Sequence, residues 1–422
     1  MAIRRVLAFA AVLLAREVCA QNLTQDQLNA VKDRLAESAK QSWELGTRAQ
    51  ALTELDTPSF SVLTVNADVP PSTSAPDSLN EVLDIAKNAV STRPTSLSGP
   101  QPLFANSAAG DPPSVGVSVL IANWTGRGQQ DSLDYAGAAK DQLEFLFNSV
   151  PHTDDGAISH RVEKLQLWSD FVAMVPPFLA YYGVVTANQS LVEEGYKQIK
   201  LYRSYLQDTS ARGLWHHIVM GNNGTDPGHW STGNAWAAIG ILRVLGTIQR
   251  SQFSNQMKNE KKDLINWASE IHSGMYAHLR SSGLFGNYVD DDSTFDDGSS
   301  TALLASSVYR LALFANVHTF VPMAEQSRQA LFATADPSSN NGSSLVHFSS
   351  DGWLTPVVNP ENVGKEGSHS PEGQAFVVQL DAAYRDWLDA GSPGKNAASH
   401  PGADLTRWWV ILLAILTGTA LL

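Results

Sequence analysis

Residues 155–236 contain four linked pieces: DGAISHR at 155–161, LWSDFVAMVPPFLAYYG at 167–183, GLWHH at 213–217 and HWSTGNAW at 229–236. Two of them carry the same local signature, a glycine followed by apolar or aromatic residues: Gly156-Ala157-Ile158 and Gly213-Leu214-Trp215. The signature returns at Gly283-Leu284-Phe285 and Gly352-Trp353-Leu354, at intervals of 57, 70 and 69 residues. Such intervals hold two helices and their connections, and one helix pair cannot bury its apolar face alone, so pairs at a steady period stack or close into a ring. The reading is an all-α fold, an (α/α)6 barrel or six-hairpin toroid, with the glycine turns gathered at one end as the mouth of a cleft. Ordinary tight turns are the plainer explanation of the glycines.

Outward from this block the pattern stays helical. Residues 24–55 and 77–90 have helical spacing, separated by a Pro/Ser-rich connector at 69–76. Residues 190–206 place Val192, Tyr196, Ile199, Tyr202 and Leu206 on one face, with Ser190 and Glu193 spaced as a capping box. Leu264, Ala268, Ile271, Met275 and Leu279 repeat the spacing, and continuous strand patterns are scarce. Residues 21–100 are read as an N-terminal helical region supplying the first hairpins, and 101–392 as the barrel.

Both ends of the chain are apolar. Residues 1–20 combine Arg4 and Arg5, the run VLAFAAVLLA and a small-residue exit at Val18-Cys19-Ala20, which reads as a secretion signal. Residues 393–422 hold small residues at Asn396-Ala397-Ala398, a polar spacer and a closing apolar tail from Trp408 to Leu422, which reads as a glycosylphosphatidylinositol-anchor signal with attachment at Asn396. A single tail-anchoring helix is the alternative, although the tail is shorter than the roughly 20 residues a membrane-spanning helix needs. The expected location is extracellular, at the cell surface or cell wall, with membrane contact through the lipid.

The only cysteine, Cys19, lies in the leader, so thiol catalysis, disulfides and cysteine metal sites are excluded from the remainder. Acceptor sequons at Asn22, Asn123, Asn188, Asn223 and Asn341 suit an exported surface. A formal charge of −13 argues against nucleic acid as a partner and disfavours anionic polymers unless the cleft carries local positive charge. Nothing indicates assembly beyond a monomer.

Asp170 is the lone carboxylate in the longest apolar stretch of the central chain, with histidines and tryptophans following. A carboxyl group among apolar and aromatic neighbours keeps its proton near working pH, which is what a general acid requires. That pattern belongs to glycan cleavage.

The block SHRVEKLQLWSDFVAMVPPFLAYYG, with GLWHH and HWSTGNAW, resembles the six-hairpin glycosidases of glycoside hydrolase family 105, the unsaturated rhamnogalacturonyl hydrolases, and more distantly family 88. The matching positions are Trp168, Asp170 and Met174, then Pro177 to Gly183, Gly213 to His217, and Trp230, Gly233, Asn234 and Trp236. The resemblance covers most of 105–390 and is poor over 21–100. It implies that an aspartate protonates the C4=C5 bond of a terminal unsaturated uronic acid, that water adds at C5, and that the hemiketal collapses to release the sugar. By position Asp170 is that acid, Asp111 the second carboxylate, His217 the active-site histidine, and His160 with Arg161 the His-basic pair before the catalytic helix. Trp168, Met174, Trp230, Thr232, Asn234 and Trp236 complete the expected substrate contacts, and no cofactor is needed. The family's uronate-binding arginine is replaced by Thr232, which removes a bidentate clamp. Arg161 and His229 are the candidate replacement cations.

Each residue has a plainer reading. Asp170 is also a favoured helix N-cap, and the tryptophans are also core residues. His217 reads equally as a satisfied polar residue of the core, and Gly233 with Asn234 as a turn before a helix at 235–250. His216, His217 and His229 lack zinc-site spacing and a neighbouring HExxH, so no metal is assigned. In YVDDDSTFDDGSS (288–300), Asp292, Thr294 and Asp296 alternate as in a calcium loop, yet Asp297 stands where that loop needs glycine, which favours a solvated, helix-capping loop. Two other functions fit the chain: a wall-remodelling glycosidase or transglycosidase using Asp111 and Asp170 on saturated sugars, and a non-catalytic glycan-binding surface protein. Consumption of the double bond in unsaturated disaccharides separates all three.

Overall fold

Thr24 starts the first helix. Its hydroxyl accepts from the Gln27 amide while the Gln27 side chain accepts from the Thr24 N–H, satisfying orphan donors at both ends of the first turn. The computed structural model describes residues 22–95, 98–336 and 344–397, and within these the chain alternates between an outer and an inner ring of helices. In order they are α1 (Gln25–Ser38), α2 (Ser42–Asp56), α3 (Asn80–Thr92), α4 (Gly116–Trp124), the short α5 (Arg127–Asp131), α6 (Tyr135–Asn148), α7 (Phe171–Val185), α8 (Gln189–Leu206), α9 (Ser231–Arg250), α10 (Lys258–Tyr276), α11 (Gly298–Ala315), α12 (Val321–Leu331) and α13 (Pro371–Asp389).

Helices α2, α4, α7, α9, α11 and α13 pack side by side, and α13 returns to α2 to close the ring. Helices α3, α6, α8, α10 and α12 lie outside their inner partners, and α1 covers α13. This is the (α/α)6 barrel. Its sixth hairpin joins α13 to α1 from opposite ends of the described chain, so residues 25–92 are part of the ring and no unit boundary falls at residue 101.

Sequence decides which ring a helix joins. Every residue of α9 from Ser231 to Ile248 is buried, as expected for a helix without a charged face. Outer α8 buries Val192, Ile199, Tyr202 and Leu206 and leaves Glu193 and Lys197 to solvent or partial exposure. Gly240 lets α7 and α9 touch, since a Cβ there would lie 2.2 Å from the Val172 carbonyl oxygen. Away from the site, Glu54 of α2 links four inner helices: Arg243 of α9 at 3.2 Å, Arg310 of α11 at 3.6 Å and Gln379 of α13 at 3.1 Å.

The recurring glycines all have positive φ, between 83° and 96°, which only glycine adopts without strain. All four lie in outer-to-inner connections, gathered at the end of the ring where the inner helices begin, but on its outer side, not lining the mouth of the cleft. A side chain at each would meet an outer helix: Lys197 of α8 at Gly156, Glu270 of α10 at Gly213, Ala330 of α12 at Gly283 and Ala30 of α1 at Gly352. The turns dock each inner strand of chain against the neighbouring outer helix, which explains their period.

Short antiparallel pairs lead into the inner helices: β1 (Leu167–Trp168) with β4 (Ile218–Val219), β2 (Gln207–Asp208) with β3 (Leu214–Trp215), β5 (Phe285–Gly286) with β6 (Asp296–Asp297), and β7 (Val357–Asn359) with β8 (Asn362–Gly367). Several local readings are corrected. Residues 24–55 form two helices, because the chain turns at Ala39 to Gln41. Helix α8 begins after Asn188 without a side-chain cap, and Glu193 accepts from Gln189 in place of forming a box with Ser190. Gly233 and Asn234 lie inside α9, which starts at Ser231. Leu279 falls beyond α10.

The expected leader, the apolar tail and Asn341 lie outside the described residues. Asn396 sits in an exposed turn, and Asn22, Asn123, Asn188 and Asn223 are exposed. No helix among the described residues is long and apolar enough to cross a membrane.

Candidate active site

Because the inner helices run in the same direction, their N-termini meet at one end of the ring. There they line a cavity of about 610 Å³. Ser42 and Trp43 come from α2, Asp111 from the 3-10 turn leading into α4, and Asp170 and Met174 from α7. Trp230, Thr232 and Trp236 come from α9, Ser299 from α11, and Ser370, Glu372 and Phe376 from α13. Each N-terminus presents the positive end of its dipole towards the cavity, where it meets the carboxyl groups of Asp111, Asp170 and Glu372.

Asp170 stands at the N-cap position of α7 but makes no side-chain cap bond. Its Oδ1 is buried without a hydrogen-bond partner. Burial, with a smaller contribution from the nearby charge of Asp111, pushes its pKa up to about 7. Burial likewise raises Asp111 to about 7, opposed by the Arg161 guanidinium and the Asn106 amide, which donates to Asp111 Oδ2 at 3.2 Å. Two carboxyls that repel each other share protons as a pair. One of them is positioned to hold a proton at neutral pH.

His160 Nε2 lies 3.4 Å from Asp111 Oδ1, and its ring stacks on Trp168 with centroids 4.6 Å apart at 10°. Burial, aided by Arg161, lowers the pKa of His160 to about 3, so the ring is neutral. Arg161 lies 5.7 Å over the Trp168 ring and donates to Ser107 Oγ at 2.8 Å. His217 is wedged between Trp168 and Trp230. Its Nδ1 pairs with Asp226 Oδ2 at 2.9 Å, the Tyr288 hydroxyl donates to the same oxygen at 2.5 Å, and its Nε2 is buried without a partner. Burial lowers the pKa of His217, with Asp226 opposing. An imidazole that donates through Nδ1 leaves Nε2 as an acceptor for a hydroxyl or water.

Residues 117–352 match the model of Glycosyl Hydrolase Family 88. The chain belongs to glycosyl hydrolase family 88. Among curated relatives, the unsaturated rhamnogalacturonyl hydrolase YesR of Bacillus subtilis is 22% identical over 187 residues, covering 41% of this chain and 51% of that protein. The chain thus spans about half the length of the curated relative it matches. Among solved structures, a possible member of the GH105 family from Klebsiella pneumoniae superposes with a TM-score of 0.64 at 16% identity, covering 86% of this chain and 93% of the other. A family 88 glycosyl hydrolase from Bacteroides vulgatus gives 0.57 at 16% identity, covering 86% and 99%. These superpositions establish the shared six-hairpin glycosidase fold.

In this family 88 chain, Asp111, Asp170, His160, Arg161, Trp168, Met174, His217, Trp230, Thr232 and Trp236 all line one cavity. Asn234 does not. Its side chain accepts from the Trp215 amide at 2.9 Å and donates to the carbonyls of Trp215 and Trp230, so it holds the GLWHH segment against α9. Thr232 reaches the cavity wall, but its hydroxyl donates to Asp297 Oδ2 at 3.0 Å. His229 pairs with Asp290 at 2.7 Å and lies outside the cavity lining. Of the two candidate cations read from the sequence, Arg161 alone lines the cavity, together with Lys40.

Sequence reasoning missed three residues, Asp226, Tyr288 and Glu372, whereas it read the helix-capping role within 288–300. Asp226 and Tyr288 orient His217, and the GNNGTDPG loop around Asp226 gives no local sign of this. Glu372, whose pKa burial raises to about 7, accepts from the Trp43 indole and from Ser370 Oγ at 3.1 Å. The SPEG start of α13 was a usable signal, because a glutamate beside a helix N-cap is stabilised there. The acidic run 288–300 splits up: Arg280 binds Asp296 at 2.8 Å, Asp297 caps α11, and Asp290 faces His229.

Proposed function

We propose that this family 88 protein cleaves a terminal unsaturated uronic acid from an oligosaccharide by protonating and hydrating its double bond. The observation that supports this reading is Asp170: a buried carboxyl facing an aromatic-walled cavity, with one oxygen unpartnered and a pKa raised to about 7. A neutral acid there donates its proton to C4 as the C4=C5 electrons move towards it. The cation that develops at C5 and on the ring oxygen is met by water, whose proton passes to Asp111 or the Asp170 carboxylate. The resulting hemiketal opens and releases the leaving sugar.

Trp168, Trp230 and Trp236 supply ring-sized apolar faces for sugar stacking. The helix N-termini and Arg161 offset the charge of the uronate. His217, fixed by Asp226, accepts a sugar hydroxyl or the attacking water at Nε2. The heparin specificity of one structural neighbour, an unsaturated glucuronyl hydrolase, and the rhamnogalacturonyl preference of the curated relative define the two substrate classes to compare. Secretion, glycosylation at the exposed sequons and a lipid anchor after Asn396 complete the reading, as a monomer at the cell surface.

The test is loss of ultraviolet absorbance from lyase-generated unsaturated disaccharides. Wild type consumes the double bond. Asp170→Asn abolishes this without lowering Tm, because asparagine is isosteric with the neutral acid. Survival of activity in Asp170→Asn overturns the assignment, and turnover of saturated glycosides alone points to paired-carboxylate chemistry on ordinary sugars.

A further inference from the structure

Outside the sugar cavity, the hairpin β2–β3 and the entry to α9 bring three ligand-type side chains together: Asp208, His216 and His229 offer ligand atoms within 4.8 Å of one another. His216 and His229 immediately precede His217 and Trp230 but point away from the cavity those residues line. Their spacing in sequence carries no metal signature, since thirteen positions and a turn separate them.

The arrangement is selective in three respects. Asp208 Oδ1 accepts from the Ser210 amide at 2.8 Å and hydroxyl at 2.6 Å, leaving Oδ2 directed at the two imidazoles. His216 Nδ1 is engaged by the Pro227 carbonyl at 2.5 Å and His229 Nδ1 by Asp290 at 2.7 Å, which places the proton on Nδ1 and the lone pair on Nε2 of each ring. Donation of the second ring nitrogen to a carbonyl or carboxylate is how metal-binding histidines are oriented. The His229 Nε2 is buried and makes no hydrogen bond, although the residue is only 8% exposed.

The distances match as well. Bonds of about 2.0–2.1 Å at tetrahedral angles put ligand atoms roughly 3.3 Å apart. Asp208 Oδ2 lies 3.5 Å from His229 Nε2 and 3.9 Å from His216 Nε2. Two imidazoles and one carboxylate, with His216 and Asp208 partly exposed so that water completes the sphere, suit zinc-class ions; calcium and magnesium prefer all-oxygen sets.

We propose that Asp208, His216 and His229 bind one divalent transition-metal ion of the zinc class, with Asp290 orienting His229. The ion ties the β2–β3 hairpin to the entry of α9 and so braces the segment that carries His217 and Trp230. The site is structural and independent of the cleavage reaction.

The experiment uses the full chain without a histidine tag, stripped with a chelator, dialysed and titrated with zinc chloride by calorimetry, with cobalt(II) visible spectra as a second readout. One equivalent binds, and zinc raises Tm. His216→Gln and Asp208→Asn each weaken binding at least about 10-fold, and Asp290→Asn weakens it about 10- to 100-fold. The exposed His369→Gln leaves it unchanged. Circular dichroism confirms folding, and if a ligand variant unfolds, Asp290→Asn decides the question. No binding by wild type, or wild-type affinity in the ligand variants and Asp290→Asn, overturns the site.

Discussion

At the scale of the residue, the proposed chemistry depends on keeping a proton where water would remove it. Asp170 and Asp111 both sit near pKa 7 because burial penalises their charged forms. Below that value Asp170 holds its proton and can donate; as pH rises through about 7 the proton leaves and kcat/KM falls. Replacing Asp111 with asparagine removes the neighbouring negative charge, so the alkaline limb of the residual activity moves to lower pH in a pH–rate profile. Folding should record the same shift. An unfolded aspartate releases its proton near 3.8, whereas the folded one keeps it, so this group's stabilising contribution is present at low pH and declines as pH rises from about 4 to 7. Asp170→Asn removes that part of the slope in denaturant unfolding measured across the window. A second residue-scale prediction concerns Asp226. Asp226→Asn frees His217 to take the other tautomer, lowering kcat about 100-fold or more with little change in KM, as steady-state kinetics on the best disaccharide will show.

At the scale of the element, inner helices carry the site at their first turns, so caps do double duty. Asp297 is fully buried and accepts from the amides of Ser299, Ser300 and Val358 and from the Thr232 hydroxyl. One side chain thus starts α11, fixes β7 and positions the wall of α9. Asp297→Ala loses the cap and orphans buried donors, at a cost of about 2 kcal/mol or more. Thermal unfolding checks this, with an accompanying rise in KM from displacement of Thr232. This contact also gives a physical meaning to the departure from the uronate-binding arginine: the threonine is used for packing of helix ends, and in the proposed reaction the cation comes from Arg161 on the cavity wall.

At the scale of the whole molecule, ring closure converts separate helix pairs into a single cavity. Glu54, Arg243 and Arg310 are each no more than 3% exposed and bridge α2, α9 and α11. Glu54→Leu leaves buried Arg243 without its carboxylate and Arg310 with Asp386 alone, and breaking a buried pair in this way costs about 3–5 kcal/mol. Chemical denaturation of the purified variant tests this, and a loss below about 1 kcal/mol would contradict the bridging role. Closure also depends on α1, whose apolar face covers α13.

By itself the sequence determined the helical alternation, the glycine-marked period and a carboxyl placed to hold a proton, because periodicity and local composition are properties of neighbours along the chain. Asp170, Trp168, His217 and Trp230 were legible for that reason. Only the tertiary structure decided that Asn234 is a brace, that His229 faces away from the cavity, that Glu372 and Asp226 belong to the site, and that the N-terminal helix completes the last hairpin. Those outcomes depend on which groups meet across a closed ring, and contacts between residues far apart in the chain follow from how helices pack, which no local pattern encodes.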